Sequence, residues 1–182
     1  MAVGSVIPRK AYDVLVGALA PLRDHPWRLT IAGATDHSPE ALAALHAAVR
    51  DSALQDRIAI VGAVDRARLG ELYASADAFL MSSLYEGYGM VLAEAMARGL
   101  PIVCTTGGAA AETAPDAAAI KVPPGDERAL TVATRRLLDD TALRQRLADA
   151  SWAAGQKLPR WEDATRRIAR VIEDLAPKER FG

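Results

Sequence analysis

Six short apolar runs, separated by stretches of a different period, constrain this chain more than any single motif. Residues 2–6, 29–32, 57–61, 78–81, 102–105 and 118–122 are brief runs made mostly of Val, Ile, Leu and Ala, and turn residues bound them. Between them apolar residues recur every three or four positions: Val14, Leu15, Ala18, Leu19 and Leu22; then Leu42, Leu45, Ala48 and Val49; then Leu69, Leu72, Tyr73 and Ala76. Strands without polar alternation are buried on both faces, and intervening helices supply the cover. The pattern predicts an α/β fold, a doubly wound parallel sheet of about six strands. Local signals agree. Ser38 followed by Pro39 opens one helix, Asp65 caps another, and Gly99-Leu100-Pro101 closes a third. Beyond Pro123-Pro124-Gly125-Asp126 the chain reads as helical, with runs over 130–139, 143–154 and 161–175.

In such a sheet ligands sit at the carboxyl ends of the strands, where the topology reverses. The loops on that edge are residues 5–10, 33–38, 62–64, 82–89, 105–108 and 123–125. The most informative is the stretch 84–94, Leu-Tyr-Glu-Gly-Tyr-Gly-Met-Val-Leu-Ala-Glu, which reads as a strand end, a Gly-rich turn and a helix start. Gly87 and Gly89 allow backbone N–H groups to approach a ligand, and the first turn of the following helix suits a phosphate. Arg9 and Lys10 lie on the same edge and can meet a diphosphate from the other side. Glu86 and Glu94 flank this seat. A carboxylate beside a phosphate is repulsive, so its natural partners are hydroxyls a little farther away. Phosphates between two sets of hydroxyls describe a nucleotide sugar.

Composition bounds the alternatives. A chain of 182 residues suits one domain, 1–182, and a domain of that size buries roughly 70% of its unfolded surface. The formal charge of −1 gives no basic field for nucleic acid. No apolar run approaches the ~18 residues of a membrane span. The single Cys104, in an apolar run, is expected to be a buried small residue. His25, His37 and His46 lack metal-ligand spacing, and only His37 falls in a strand-end loop. With no basic-then-apolar leader, a cytoplasmic location is expected. A first strand that begins almost at residue 1 suggests a domain of something longer. A nicotinamide dehydrogenase is disfavoured, because residues 5–10 contain no Gly-x-Gly-x-x-Gly.

Taken together, Glu86-Gly-Tyr-Gly-Met-Val-Leu-Ala-Glu94, with seven residues between the carboxylates, and Ala95-Met-Ala-Arg-Gly-Leu-Pro101 resemble the carboxyl-terminal, donor-binding half of the family 4 retaining glycosyltransferases, which have the GT-B fold of two Rossmann-like domains. Val3-Gly4, Pro8-Arg9-Lys10, Gly107-Gly108 with Glu112, and Val122-Pro-Pro-Gly-Asp126 match in the same order, so the resemblance covers nearly the whole chain. It implies that Lys10 and Arg9 neutralise the diphosphate, and that Glu86 with Gly87, Tyr88, Gly89 and Met90 grips the transferred sugar. Gly89 to Val91 would lie near the phosphates, Glu94 would hold the ribose, and the loop from Gly62 to Val64 would lie along the base. Residues 159–182 would form a helix crossing to the other domain. The implied partners are a UDP- or GDP-sugar and an N-terminal acceptor-binding domain, with any membrane contact made through that domain. No cofactor is implied, and without an Asp-x-Asp sequence no metal is expected at the diphosphate. Many members have Arg at Ser5 and Gly at Ala11, which shifts more of the diphosphate onto Arg9 and Lys10. A non-catalytic nucleotide-sugar-binding or interaction module is the alternative. Glu112 also reads as a merely polar residue on a short helix.

Overall fold

The computed structural model describes residues 1–158, 165, 166 and 168–172. Among them β1 (Ala2–Val3), β2 (Leu29–Ala32), β3 (Ile58–Gly62), β4 (Phe79–Met81), β5 (Ile102–Thr105) and β6 (Ala119–Val122) alternate with helices. These are α1 (Tyr12–Leu19), α2 (Pro39–Asp51), α3 (Arg66–Ala74), α4 (Met90–Met96) and α5 (Ala110–Thr113), followed by α6 (Glu127–Asp139) and α7 (Thr141–Gly155). Every ladder is parallel. They form two three-stranded sheets, β1-β2-β3 and β4-β5-β6, which meet where Leu80 N donates to Met1 O at 2.9 Å. The strands run parallel throughout, but the order in which they are added changes sense between β1 and β4, the position at which a doubly wound fold offers a crevice. The expected crossover helix over 159–182 lies outside the described residues except at the positions just given.

The side-chain period of two divides the core. Leu80 and Val103 join Leu15, Leu45, Val49, Leu130 and Leu137 on the face covered by α1, α2 and α6. Their neighbours Phe79, Met81, Ile102 and Cys104 join Leu72, Tyr73, Leu92, Ala95 and Met96 on the face covered by α3 and α4. Leu15, Ile31, Leu45, Leu92 and Val103 are all 0% exposed, and each contributes about 1.5–3 kcal/mol of transfer free energy. The caps are those read from the sequence: Ser38 Oγ accepts from Ala41 N at 3.2 Å and Asp65 Oδ1 from Arg68 N at 2.8 Å.

Several boundaries differ, each for a local reason. The expected strand 2–6 forms a ladder only at Ala2–Val3. The chain turns at Gly4, yet Gly4 N and Val6 N still donate to Ala32 O and Ala34 O at 2.9 and 2.8 Å. The first helix stops at Leu19 and continues as a 3-10 turn, Ala20–Leu22, because Pro21 has no N–H to extend the ladder. The helix expected to reach residue 98 ends at Met96, where Arg98 N bonds to Ala95 O at 3.1 Å and tightens the last turn.

Candidate functional site

The site lies at the carboxyl ends of β1 and β4. After β1, the 3-10 turn Pro8–Lys10 is followed by Ala11 in the left-handed region, φ 46° and ψ 48°. That reversal turns Lys10 inward until it is 6% exposed and leaves Arg9 at the surface. Gly4 makes room for it: a Cβ there would stand 2.7 Å from Lys10 Cε. The hydroxyl of Tyr12 donates to Gly4 O at 2.9 Å and holds the two ends of the loop together.

The loop after β4 is tied to this turn and to the next strand. Leu84 N donates to Arg9 O at 2.7 Å, and the buried Ser82 Oγ donates to Lys10 O at 2.8 Å. On the far side Glu86 N donates to Gly107 O at 3.0 Å and Ala109 N to Glu86 O at 2.8 Å. Glu86 is thereby fixed by its backbone, not carried on a free loop.

Its carboxylate gathers the cations. Glu86 Oε1 accepts from Lys10 Nζ, from Ser83 Oγ at 2.7 Å, and pairs with Arg9 Nη1 at 3.2 Å. The side chains of Lys10 and Glu86 are 7% and 8% exposed, whereas that of Arg9 is 47% exposed. Burial alone pushes the Glu86 carboxyl up. The hydrogen bonds from Lys10 and Ser83 and the charges of Lys10 and Arg9 more than offset this and hold it below the usual carboxylate range. Oε2 has no hydrogen-bond partner among the described residues. One oxygen thus serves the cations and the other remains open to a donor.

Glu94, in the second turn of α4, stands apart from this cluster. Tyr73 OH, from α3, donates to Glu94 Oε2 at 2.8 Å, and the Arg98 guanidinium covers the Tyr73 ring at 4.4 Å. Between the two carboxylates, Gly87, Tyr88 and Met90 are exposed, Gly89 is buried and Val91 is half-buried. Gly89 takes φ 81° as the N-cap of α4. A Cβ at Gly87 would meet nothing within 4 Å, so packing does not require that glycine. The N–H groups of Met90 and Val91 donate to no acceptor among the described residues. Gly62 ends β3, and Gly33 N donates to its carbonyl at 2.9 Å. Val64, next to it, is half-buried and packs against the α3/α4 side of the core.

Among the described residues no hydrogen bond or ion pair joins the side chains of the other candidates to the cluster. Glu112 is exposed on α5, and His37 is exposed with Asp36 at 3.8 Å. Cys104 is 0% exposed, and burial pushes its thiol up to about 11, as a structural cysteine requires. A cavity of about 680 Å³ lies at the opposite, amino edge of the strands, lined by Met1, Trp27, Leu29, Ala78, Thr134 and Leu137, and contains none of the site residues. Sequence reading missed Ser82, Ser83, Tyr12 and Tyr73. The Ser pair at a strand end carried a signal; Tyr73 read as core, and nothing in the spacing singled out Tyr12.

Residues 1–140 match the family model described as glycosyl transferases group 1. The chain belongs to that family. It is 33% identical over 162 residues to a D-inositol 3-phosphate glycosyltransferase of Xylanimonas cellulosilytica, a match that takes in 88% of this chain and 38% of the relative. It superimposes on Anabaena HepE, solved with UDP and glucose, at a TM-score of 0.83 and 25% identity, covering 96% of this chain and 48% of HepE. It also covers 83% of the C-terminal domain of a glycosyl transferase group 1 protein, LpcC, from Francisella tularensis, with 85% of its own length, at a TM-score of 0.77 and 23% identity. The fold is thus that of the C-terminal half of GT-B glycosyltransferases, and this chain spans less than half the length of the first two proteins.

Proposed function

We propose that this chain binds a UDP- or GDP-sugar across the carboxyl ends of β1 and β4 and, within a longer two-domain enzyme, supports retaining transfer of a hexose to an acceptor hydroxyl. The observation that carries the reading is the buried Lys10–Glu86 pair with Arg9 beside it, at the point where the strand order changes sense. Lys10 and Arg9 would receive the diphosphate, with the N–H groups of Met90 and Val91 facing them. Glu86 Oε2 would accept from a sugar hydroxyl and Glu94 from the ribose. The loop from Gly62 to Val64 would carry the base.

The chemistry follows from the charges. Breaking the bond between the anomeric carbon and the phosphate oxygen leaves negative charge on the diphosphate, and fixed cations stabilise that charge more than they stabilise the bound donor. In a retaining route the leaving phosphate oxygen itself takes the acceptor's proton, so no protein nucleophile is needed. Lys10 and Arg9 supply the positive charge, and no metal is required for that task. The N-terminal domain would supply the acceptor wall and exclude water. On its own the chain is expected to bind donor without glycosylating an acceptor.

Calorimetry of the 182-residue chain with UDP, GDP, UDP-glucose and GDP-mannose in the presence of a chelator tests this. Binding of at least one pair is expected. Glu94→Ala should weaken both members of that pair by roughly ten- to 150-fold, whereas Glu86→Gln should remove the sugar's added affinity without weakening the bare diphosphate. Binding that appears only with magnesium or manganese overturns the metal-free reading, and no binding under any condition overturns the whole.

A further inference from the structure

We infer that Tyr73 is a positioning residue for nucleotide recognition: its hydroxyl holds Glu94 Oε2 so that Oε1 faces the ribose. The inference rests on the proposed ribose role of Glu94 and adds a residue to it. A carboxylate on one turn of a helix has rotatable bonds to order before it can receive a hydroxyl in one geometry, and a second fixed contact supplies that order in advance.

Tyr73 is suited to the task by everything around it. The side chain is 1% exposed, and its ring stacks on Phe79 with centroids 6.0 Å apart and planes 20° from parallel. The Arg98 guanidinium lies 4.4 Å from the ring centroid. Arg98 lies in the turn just past the end of α4, and its Nη1 donates to Glu94 O at 3.2 Å. The ring is therefore clamped between β4 and the end of α4, and its hydroxyl cannot drift from the carboxylate. Burial first, and then the Glu94 charge and hydrogen bond, push the phenol well above its usual value, so it stays a donor throughout the physiological range. Among the described residues Glu94 Oε1 accepts no hydrogen bond. An ordinary core tyrosine would spend its hydroxyl on a backbone carbonyl; this one spends it on a half-buried carboxylate at the candidate site.

The test uses Tyr73→Phe, which keeps the ring, its stack and its cation contact and removes only the donor. Calorimetry compares wild type, Tyr73→Phe, Glu94→Ala and the double variant against UDP or GDP, whichever binds the wild type, and against its 2′,3′-dideoxy analogue. Tyr73→Phe should weaken the ribonucleoside diphosphate by about three- to tenfold and leave the dideoxy analogue unchanged. In the Glu94→Ala background it should add nothing. If Glu94→Ala separates the two ligands and Tyr73→Phe does not, Tyr73 is only a packing residue and the inference fails while the ribose assignment stands. Equal weakening of both ligands by Tyr73→Phe, with a lowered melting temperature, also marks it as structural. If Glu94→Ala fails to separate the ligands, or if neither diphosphate binds the wild type, the ribose assignment itself is wrong and the inference falls with it.

Discussion

Replacing Lys10 with Met is expected to destabilise the chain in a way that depends on pH. The substitution keeps most of the side chain's volume and removes its charge, leaving the Glu86 carboxylate 6% exposed with two remaining partners on Oε1, Ser83 Oγ at 2.7 Å and Arg9 Nη1 at 3.2 Å. Removing one member of a buried pair costs about 3–5 kcal/mol. Ser83 stays in place, and Arg9, at 47% side-chain exposure, offers the sub-kilocalorie support of a solvated pair. A loss of about 2–4 kcal/mol at pH 7 is expected, or roughly 4–16 °C in melting temperature for a domain of this length. In the wild type the Glu86 pKa is lowered on folding, so its contribution is complete above the ordinary glutamate value of about 4.3 and is lost as pH falls through the lower folded value. In Lys10→Met the burial effect prevails, the folded pKa rises, and stability declines as pH rises from about 4.3 through that value. The difference between the two proteins therefore grows from pH 3 to pH 7. Urea unfolding of wild type, Lys10→Met, Glu86→Gln and the double variant across that range gives both the loss and the coupling. A loss under about 1 kcal/mol that does not change with pH, or a coupling under about 0.5 kcal/mol, refutes the description of Lys10 and Glu86 as one buried unit.

Two other substitutions probe the same loop. Gly4→Ala places a Cβ 2.7 Å from Lys10 Cε and 3.1 Å from Nζ at a backbone φ of 145°; calorimetry should show weakened diphosphate binding with a stability loss of about 1–3 kcal/mol, and unchanged affinity would mean that Lys10 does not reach the ligand. Ala11→Gly relieves a left-handed alanine at φ 46°; the relief of about 1–2 kcal/mol exceeds the 0.4–1 kcal/mol of added unfolded-state freedom. Its melting temperature should equal or slightly exceed that of the wild type, and a fall of several degrees would show that the strain estimate is wrong.

The fold was legible because its determinants are local. Strand and helix periods and the caps Ser38 and Asp65 all act within a few residues. Where the reading slipped, the cause was tertiary or terminal. The ladder of β1 needs β2 opposite it and stops where Gly4 turns, and the last turn of α4 tightens beyond Met96. Of the candidate site, sequence reading placed Lys10, Arg9 and Glu86 on one edge of the sheet, and their side chains do converge. Their relation was not legible. Sequence reading expected free cations for a diphosphate and a separate carboxylate for hydroxyls, but Lys10 and Glu86, 76 positions apart in the chain, are brought into contact. Nor does spacing along α3 and α4 reveal that Tyr73 hands its hydroxyl to Glu94 across 21 residues, because an inward-facing tyrosine and a polar helix position each have an ordinary explanation.

That pairing changes what the two glutamates can be asked to do. Glu94 accepts from a neutral donor and makes no ion pair among the described residues, so on the proposed reading its loss should be felt by any ligand carrying a ribose. Glu86 already shares its charge with two cations through one oxygen. On the proposed reading a diphosphate at Lys10 and Arg9 would compete with that oxygen for the same donors, and removing the carboxylate would remove the competitor. Glu86→Gln is therefore expected to leave the bare diphosphate as tightly bound as before, or tighter by up to about tenfold, the equivalent of about 1.4 kcal/mol. The nucleotide sugar should lose affinity relative to it, because Gln presents one acceptor oxygen where the carboxylate presents two. Parallel titrations of UDP with UDP-glucose, or GDP with GDP-mannose, measure both effects in one series. Weaker binding of the bare diphosphate to Glu86→Gln would mean that the carboxylate supports the cations' placement more than it competes for their charge, and that Lys10 loses its aim without it.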